Sequence, residues 1–292
     1  MRQRLAICGI LLAVPVLALC VSVAGPEESL DREISPLLNY SNVSCASAEA
    51  TLTELAEKYN GDEQSLAQVY YLLAEITSCR GGREYSVKVP GYCAEALKYP
   101  QPVEKRMLLY TWWGGTLFIS NLDSNGNATP ASRRIAAEAC LKGIKDARDS
   151  GLPQEVPPML TFADFPELYR TYKDENGVEQ KIPIVGNTIV GDDPASVAAK
   201  EQEDRRRSDL YRQIEERKNL VEAVTQSKRL EDEVVYIYSF APNEAGDLRQ
   251  LASEIVANAT LAENLAEEVK RAALKREIER RASELLSNTL EN

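Results

Sequence analysis

Carboxylates are the most numerous side chains in this sequence that could carry chemistry. The chain has 45 Asp and Glu residues, 34 Lys and Arg residues and no histidine. Because histidine is the commonest general base and the commonest metal ligand, its absence excludes every Ser-His and Cys-His nucleophile pair. A hydrolase built on this chain would use two carboxylates, and Asp192 with Asp193 or Asp164 with Glu167 are candidate pairs. Neither pair is set apart from the other acids, so we expect most of them to be solvated surface.

The net charge of −11 bears on partners and on cofactors. A chain with this excess of acids is a poor partner for nucleic acid, whose phosphates bind Lys and Arg. Asp123-x-Asn125-x-Asn127 is similar to the start of a calcium-binding loop, in which alternate oxygen ligands surround the cation. The similarity ends there, since Ala128 stands at the glycine position and Arg134 at that of the bidentate glutamate. We therefore predict a solvated turn, and neither a metal nor another cofactor.

Four cysteines follow residue 24, at Cys45, Cys79, Cys93 and Cys140. An even number in an exported chain predicts two disulfides, and none of the spacings is the C-x-x-C of zinc or redox sites. We predict that Cys45 pairs with Cys79, which would staple the open end of a helical hairpin. Cys93 would then pair with Cys140, leaving no odd thiol.

The most distinctive cluster is aromatic and consists of Tyr70, Tyr71, Tyr92, Tyr110, Trp112 and Trp113. Four of its members are candidates for binding a partner: Tyr70, Tyr110, Trp112 and Trp113. Consecutive tryptophans on a helix point about 100° apart, which predicts that Trp112 and Trp113 do not both face the same core. One would pack between helices. The other would either lie in a groove and anchor a ligand segment, or be partly buried under the loop 81–91.

The N-terminal residues indicate an exported protein. Arg2 and Arg4 precede an apolar run over residues 5–23, and small residues before Gly25 predict cleavage of a signal peptide, residues 1–24. The alternatives are an uncleaved membrane anchor in residues 5–23, which is also the only membrane contact that we expect, and a lipid anchor on Cys20. The product would be periplasmic or secreted, or anchored to the membrane.

Apolar spacing predicts an all-α fold made of antiparallel helical hairpins. After an N-terminal segment, residues 25–43, a helix from Ser44 ends at Asn60-Gly61, and a second helix runs to Cys79. A short helix, 92–97, leads to an apolar helix over 107–119. Thr129-Pro130 caps a helix that runs to Ser150.

Part of this region resembles the tetratricopeptide repeat. Its first-helix signature is matched by Tyr110, Trp113, Gly114 and Leu117, and upstream by Tyr70, Leu73, Ala74 and Thr77. Ala94-Glu95-Ala96-Leu97 before Pro100 is similar to the second helix and terminal proline of such a repeat. The match covers residues 44–150 only, and its copies are about 40 residues apart where the family has 34. The resemblance implies stacked helix pairs with a concave protein-binding face; an irregular α-helical bundle is the alternative.

Adjacent Gly114 and Gly115 lie within a predicted helix, where each glycine costs roughly 1 kcal/mol relative to alanine. We expect the close approach of another helix to compensate, so that this pair marks the closest helix contact.

The second half of the chain changes character at residue 151. Residues 151–196 are proline-rich and predict a linker or insert, with a possible hairpin at Asn176-Gly177. Charged helices follow over 197–292, in which 234–238 fit a strand as well as a helix. One of these helices would open with a capping box from Thr260 to Glu263.

Three functions remain open from the sequence. The leading hypothesis is an exported helical scaffold that binds a protein or peptide through its helical surfaces. The second is a carboxylate-dependent hydrolase of the cell envelope or secretory pathway, with the segment 151–196 as a wall of its active site. The third is a structural envelope protein that residues 5–23 hold at the membrane.

Overall fold

A computed structural model of the chain describes residues 26–37, 44–80, 86–160, 164–165, 169–173, 177–183 and 194–290. Within these residues the fold is nearly all helical, as the apolar spacing predicts. The α-helices, in chain order, are α1 (Pro26–Ile34), α2 (Cys45–Lys58), α3 (Glu63–Arg80), α4 (Val89–Ala96), α5 (Val103–Ser120), α6 (Pro130–Asp149), α7 (Pro194–Tyr238), α8 (Ala245–Val256) and α9 (Ala259–Leu290).

Two short strands form the predicted hairpin in the proline-rich segment. β1 (Tyr169–Lys173) and β2 (Glu179–Pro183) pair antiparallel, with Tyr169 opposite Pro183 and Lys173 opposite Glu179. Gly177 lies in the connection with φ +76°, a conformation that glycine adopts without strain. The turn chemistry of Asn-Gly therefore identified the hairpin, although its flanks are only weakly apolar.

The helices surround two apolar cores. The N-terminal core is built by α1 to α4 together with Leu109 of α5. The C-terminal core is built by α6 to α9 together with Met107 and Phe118 of α5. Helix α5 serves both cores because Met107 and Leu109, two residues apart, point in nearly opposite directions on an α-helix.

This partition differs from the predicted domain limits. The sequence groups 44–150 as one helical domain and 197–292 as a separate charged region, whereas α6 shares its core with α7, α8 and α9. Helix α7 is 45 residues long, about 67 Å, and its last third supplies Leu230, Val234 and Ile237 to that core. Residues 234–238 are therefore helical, which settles the alternative between helix and strand.

Glycine contacts confirm the expected close approach at α5. A β-carbon added to Gly114 would overlap the sulfur of Cys140 on α6, whereas one added to Gly115 would meet only Glu233 Oε1 at 3.8 Å. One glycine of the pair therefore sits in the contact and the other beside it. A second close approach, which the sequence did not indicate, lies at Gly143: an added β-carbon would be 2.6 Å from Leu230 Cδ1 and 2.7 Å from Tyr110 Cβ.

Two helix starts differ from the predictions. Helix α1 lies in a segment for which no helix was predicted, and it buries Leu30 and Ile34 in the N-terminal core. The predicted capping box at Thr260 is wrong, since the Leu261 N–H donates to Asn258 Oδ1 at 2.8 Å. Ala257 ends α8 in the left-handed conformation, which makes Asn258 the first side chain available to cap α9.

The structure corrects the predicted disulfides, because Cys45, Cys79, Cys93 and Cys140 are all free thiols. Cys45 and Cys79 do lie near one another, at the open end of the α2–α3 hairpin, and Cys45 is one of the groups that raise the pKa of the Cys79 thiol; burial is the largest cause. Cys93 is buried in the N-terminal core and Cys140 in the C-terminal core, so the two thiols belong to different cores and are not paired.

Candidate functional site

A groove with a volume of about 370 Å³ crosses the surface of the N-terminal core between α2, α3 and α4. Its volume is at the lower end of the range for ligand pockets, roughly 300–1,000 Å³, and suits one or two side chains of a ligand. The residues that line it are Thr53, Ala56, Glu57, Asn60, Leu66, Tyr70, Leu73, Tyr92 and Tyr99. Buried leucines form an apolar floor, three half-buried tyrosines form the walls, and exposed polar residues form the rim.

The wall at Tyr92 is fixed by a carboxylate on α2. The Tyr92 hydroxyl donates to Glu49 Oε1 at 3.0 Å, and Lys88 Nζ donates to the same oxygen at 2.7 Å. These bonds join the start of α4 to α2. Glu49 is mostly buried, with 13% of its side chain exposed, so this charged pair resists screening better than a surface pair does.

The opposite wall pairs Tyr70 of α3 with Tyr99, which follows α4. Their rings are nearly parallel, with centroids 6.1 Å apart. The segment that carries Tyr99 is tied to α3 because buried Gln101 donates its Nε2 to the Ala67 carbonyl at 2.6 Å. Arg106 Nη1 donates to the Gln101 carbonyl at 2.8 Å. The position of Tyr99 thus depends on contacts between residues distant in sequence.

Arg106 is itself held by a bidentate ion pair. Its Nε and Nη2 donate to the two carboxylate oxygens of Asp146 on α6, at 2.8 and 3.0 Å. Bidentate pairs fix an arginine more firmly than single contacts do. The groove wall is therefore anchored, through Arg106, to the helix that also builds the C-terminal core.

The electrostatic character of the groove is acidic. The carboxylate of Glu57 on the rim makes no hydrogen bond or ion pair with any described residue, and the lining contains neither Lys nor Arg. Beside Tyr70, Glu95 and Lys98 pair with each other at 2.6 Å. Burial raises the pKa of Tyr70, and the neighbouring Glu95 raises it further. The groove therefore combines neutral phenol rings with one uncompensated carboxylate.

The predicted aromatic candidates are distributed over different surfaces, and only Tyr70 lies in the groove. Trp112 packs against Tyr71, with centroids 5.6 Å apart, and Trp113 stacks on Tyr110 at 6.2 Å. Both tryptophans are half-buried against the N-terminal core, which corrects the expectation that they do not both face the same core. The reason is geometric: on α5 they flank Leu109, and an interface about 100° wide accepts both directions.

Elsewhere on the molecule, aromatic rings are covered by cations of the same chain. Lys105 Nζ lies 4.9 Å from the Tyr71 ring centroid, and Lys142 Nζ lies 5.8 Å from that of Trp113. The Arg276 guanidinium lies 3.8 Å from the centroid of Phe240. Among the described residues no such cation lies over the rings of Tyr70, Tyr92 or Tyr99.

The candidates for metal and acid-base chemistry are not assembled into a site. Asp123 Oδ1 accepts from the N–H groups of Asn125 and Asn127 at 2.9 and 2.7 Å, so this carboxylate closes a turn between α5 and α6, as predicted. No cluster of three or more potential ligands for a metal occurs in the part of the chain that the structure describes. Of the candidate acid pairs, Glu167, Asp192 and Asp193 lie outside the described residues.

Comparisons with protein-family models, with curated proteins and with solved structures give no match. The resemblance to tetratricopeptide repeats therefore depends on the residues alone. The predicted signal peptide, residues 1–24, lies outside the described residues. None of the described helices is both long and apolar enough to cross a bilayer.

Proposed function

We propose that this protein is a helical interaction module that binds a peptide segment of a partner in the tyrosine-lined groove. The observation that carries the proposal is the groove itself, where three tyrosines surround an apolar floor. Tyr92 donates to Glu49, Tyr70 stacks on Tyr99, and buried Gln101 ties the segment of Tyr99 to α3. Tyrosine is enriched at protein interfaces because it offers a large contact area and a polar end at a small entropic cost. Preorganised walls lower the cost of binding further.

The arrangement of the helices supports a repeat-like interpretation of this module. The two matches to the tetratricopeptide signature fall on α3 and α5, and the following helices, α4 and α6, each pack against the helix before them. Gly114, which belongs to the signature, lies at the close contact of α5 with α6. If residues 1–24 direct export, as the sequence predicts, the partner is a protein of the cell envelope or of the exterior.

Selection from a displayed library of random 12-residue peptides tests the proposal. The purified chain should enrich peptides that bind it and that no longer bind two groove variants, Tyr99→Ser, which removes a wall, and Ala56→Phe, which fills the space. Circular dichroism and thermal melts confirm that the variants are folded. Ile135→Ser is the matched control, because it removes an exposed apolar side chain from α6, away from the groove.

The selected peptides should bind Ile135→Ser as they bind the wild type, and at least ten times more weakly to either groove variant. Enrichment of no peptide, or equal binding to all four proteins, would overturn the proposal.

A further inference from the structure

The charge and the ring geometry of the groove indicate what kind of side chain it takes. We infer that the groove binds the cationic side chain of an arginine or lysine in a partner peptide, held over the tyrosine rings and paired with Glu57. This inference rests on the proposed function, since it names the ligand chemistry of the same groove.

The first argument is the shape and composition of the walls. A cation within about 6 Å of an aromatic ring centroid is attracted by the negative face of the ring, and several rings around one cation form the aromatic cages that bind ammonium groups. Tyr70, Tyr92 and Tyr99 surround the groove on two sides. Buried Leu66 and Leu73 lie beneath them and would contact the aliphatic stem of a long basic side chain.

The second argument is the contrast with the other aromatic surfaces of this chain. Lys105 covers Tyr71, Lys142 covers Trp113 and Arg276 covers Phe240, so the protein supplies a cation of its own at each of these rings. At the groove tyrosines no described lysine or arginine lies over a ring; Lys98 beside Tyr70 and Lys88 beside Tyr92 only act against the rise in the pKa of each tyrosine, and each is paired with a glutamate. A cation from a partner would complete there the same interaction that the fold makes elsewhere.

The third argument is charge complementarity. Glu57 is exposed on the rim and is without an ion-pair partner among the described residues, while nearby Glu95 is neutralised by Lys98. The chain as a whole carries a net charge of −11, which attracts basic peptides over a longer range. An acidic peptide would meet repulsion from both sources, and a neutral apolar side chain would leave Glu57 to be desolvated without compensation.

A titration with four capped pentapeptides tests the inference. Their sequence is Gly-Gly-X-Gly-Gly, where X is arginine, lysine, citrulline or norleucine; citrulline has the shape of arginine without the charge, and norleucine has the aliphatic length of lysine. The full chain carries ring-labelled tyrosine, and NMR follows the ring signals of Tyr70, Tyr92 and Tyr99, assigned through Tyr→Phe variants. The arginine and lysine peptides should shift these signals, with at least five-fold weaker binding of the two neutral peptides.

The role of Glu57 is tested with a matched pair of variants. Glu57→Gln should weaken binding of the arginine peptide about three-fold, the size of a single exposed charge interaction. Glu54→Gln, which removes another exposed charge from α2 outside the lining, should leave it unchanged. Raising the ionic strength from about 50 mM to about 300 mM should weaken binding to wild type more than to Glu57→Gln.

The possible failures of the two proposals are distinguishable. If the neutral peptides bind as tightly as the basic ones, or if Glu57→Gln has no effect, the cationic ligand is wrong while peptide binding stands. If none of the four peptides shifts a groove tyrosine but library peptides bind in the groove, the cationic ligand is again wrong by itself. If library peptides also fail to bind, both proposals fall.

Discussion

The two cores of this molecule are built on helices of equal length and differ in how the next helix covers them. Helices α3 and α5 each have 18 residues and begin at Glu63 and Val103, 40 residues apart. Helix α6, which packs against α5, has 20 residues, whereas α4, which packs against α3, has 8. A helix of 8 residues is about 12 Å long and covers less than half of an 18-residue helix of about 27 Å.

The difference in length accounts for the groove at the N-terminal core. Gly114 of α5 faces Cys140 of α6, and Gly143 of α6 faces Tyr110 of α5 and Leu230 of α7, so these three helices approach closely. Along α3 the position that matches Gly114 is Ala74, which is fully buried. The short α4 leaves the face around Tyr70 uncovered, and the segment at Tyr99 closes its far side. The groove therefore lies where the second helix of the pair α3–α4 is short.

The largest expected contrast between described thiols is in their reactivity. Alkylation needs the thiolate, and Cys93 and Cys140 are fully buried, with thiol pKa values that burial raises far above the ordinary value. Under reducing conditions we expect Cys79, which is exposed, to react at least about 1,000-fold faster than either buried thiol, because the core must open first. Mass spectrometry after timed labelling measures the rates.

This experiment also compares the two cores directly. Faster labelling of Cys93 than of Cys140 would show that the N-terminal core, beneath the groove, opens more readily than the C-terminal core. Recovery of Cys93 linked to Cys140 from a non-reducing digest would contradict the separation of the cores and restore the predicted bridge.

The next largest expected effect is the loss of stability when the ion pair between Arg133 and Glu244 is broken. Arg133 donates its Nε and Nη2 to the carboxylate of Glu244, at 2.9 and 2.5 Å, and only 8% of its side chain is exposed. Arg133→Ala would leave Glu244 unpaired in a largely buried place, so we expect the free energy of unfolding to fall by about 3 kcal/mol. Urea denaturation measures the change.

The exposed neighbour Arg134 provides the control, and Arg134→Ala should change stability by less than about 0.5 kcal/mol. Combining Arg133→Met with Glu244→Gln should recover part of the loss, because no uncompensated charge remains. Equally small losses of stability in Arg133→Ala and Arg134→Ala would mean that the pair of Arg133 with Glu244 does not stabilise the C-terminal core.

The space around each glycine predicts whether alanine at that position lowers or raises the stability of the protein. Gly143→Ala would bring a methyl group against the Cβ of Tyr110, which cannot move without shifting α5, so we expect a loss of about 1 to 3 kcal/mol. Gly114→Ala should cost less, because the Cys140 side chain can rotate. Gly115→Ala has room and should stabilise α5 by up to about 1 kcal/mol. Thermal melts of the three variants rank them, and stabilisation by Gly143→Ala would contradict the close packing.

Local signals in the sequence account for most of the helices. Thr129 accepts from the Ser132 N–H, and Gly151 ends α6 with φ +71°, as capping rules predict. Helix α1 was missed although Leu30, Ile34 and Leu37 have helical spacing, because the segment is short and follows the apolar run. Periodicity identifies the buried face of a helix but not the helix that covers it. The partition into two cores could therefore not be predicted.

The residues of the groove, too, could be predicted only in part, because sequence patterns do not identify contacts between distant segments. Tyr70 was a candidate because of its spacing, and Tyr92 belonged to the aromatic cluster. Tyr99 and Glu57 were missed. Tyr99 is placed in the groove by contacts distant in sequence, among them the bond from Gln101 to Ala67, 34 residues away. For Glu57 the sequence offers no signal that separates it from the other acids. Sites formed by contacts distant in sequence have to be found in the structure.

The smallest predicted effect concerns Glu75, at the seam between the two cores. Burial raises the pKa of this carboxyl on α3; Lys105 on α5 lowers it and Glu222 on α7 raises it. Because the folded protein binds this proton more tightly than the unfolded chain does, the contribution of Glu75 to stability is largest at low pH. It falls as the pH rises through the ordinary glutamate value, about 4.3, towards the folded value.

Glu75→Gln removes this titration and keeps the shape of the side chain. We expect the variant to be more stable than the wild type at pH 7 by about 0.5 kcal/mol, and the difference to disappear near pH 4, where the wild-type carboxyl is protonated too. Urea denaturation at both pH values measures it, with the exposed Glu54→Gln as the control for an amide on a helix surface. Destabilisation by Glu75→Gln at pH 7 would instead mean that Lys105 holds the charged carboxylate, and that an ion pair rather than a desolvated acid joins the two cores.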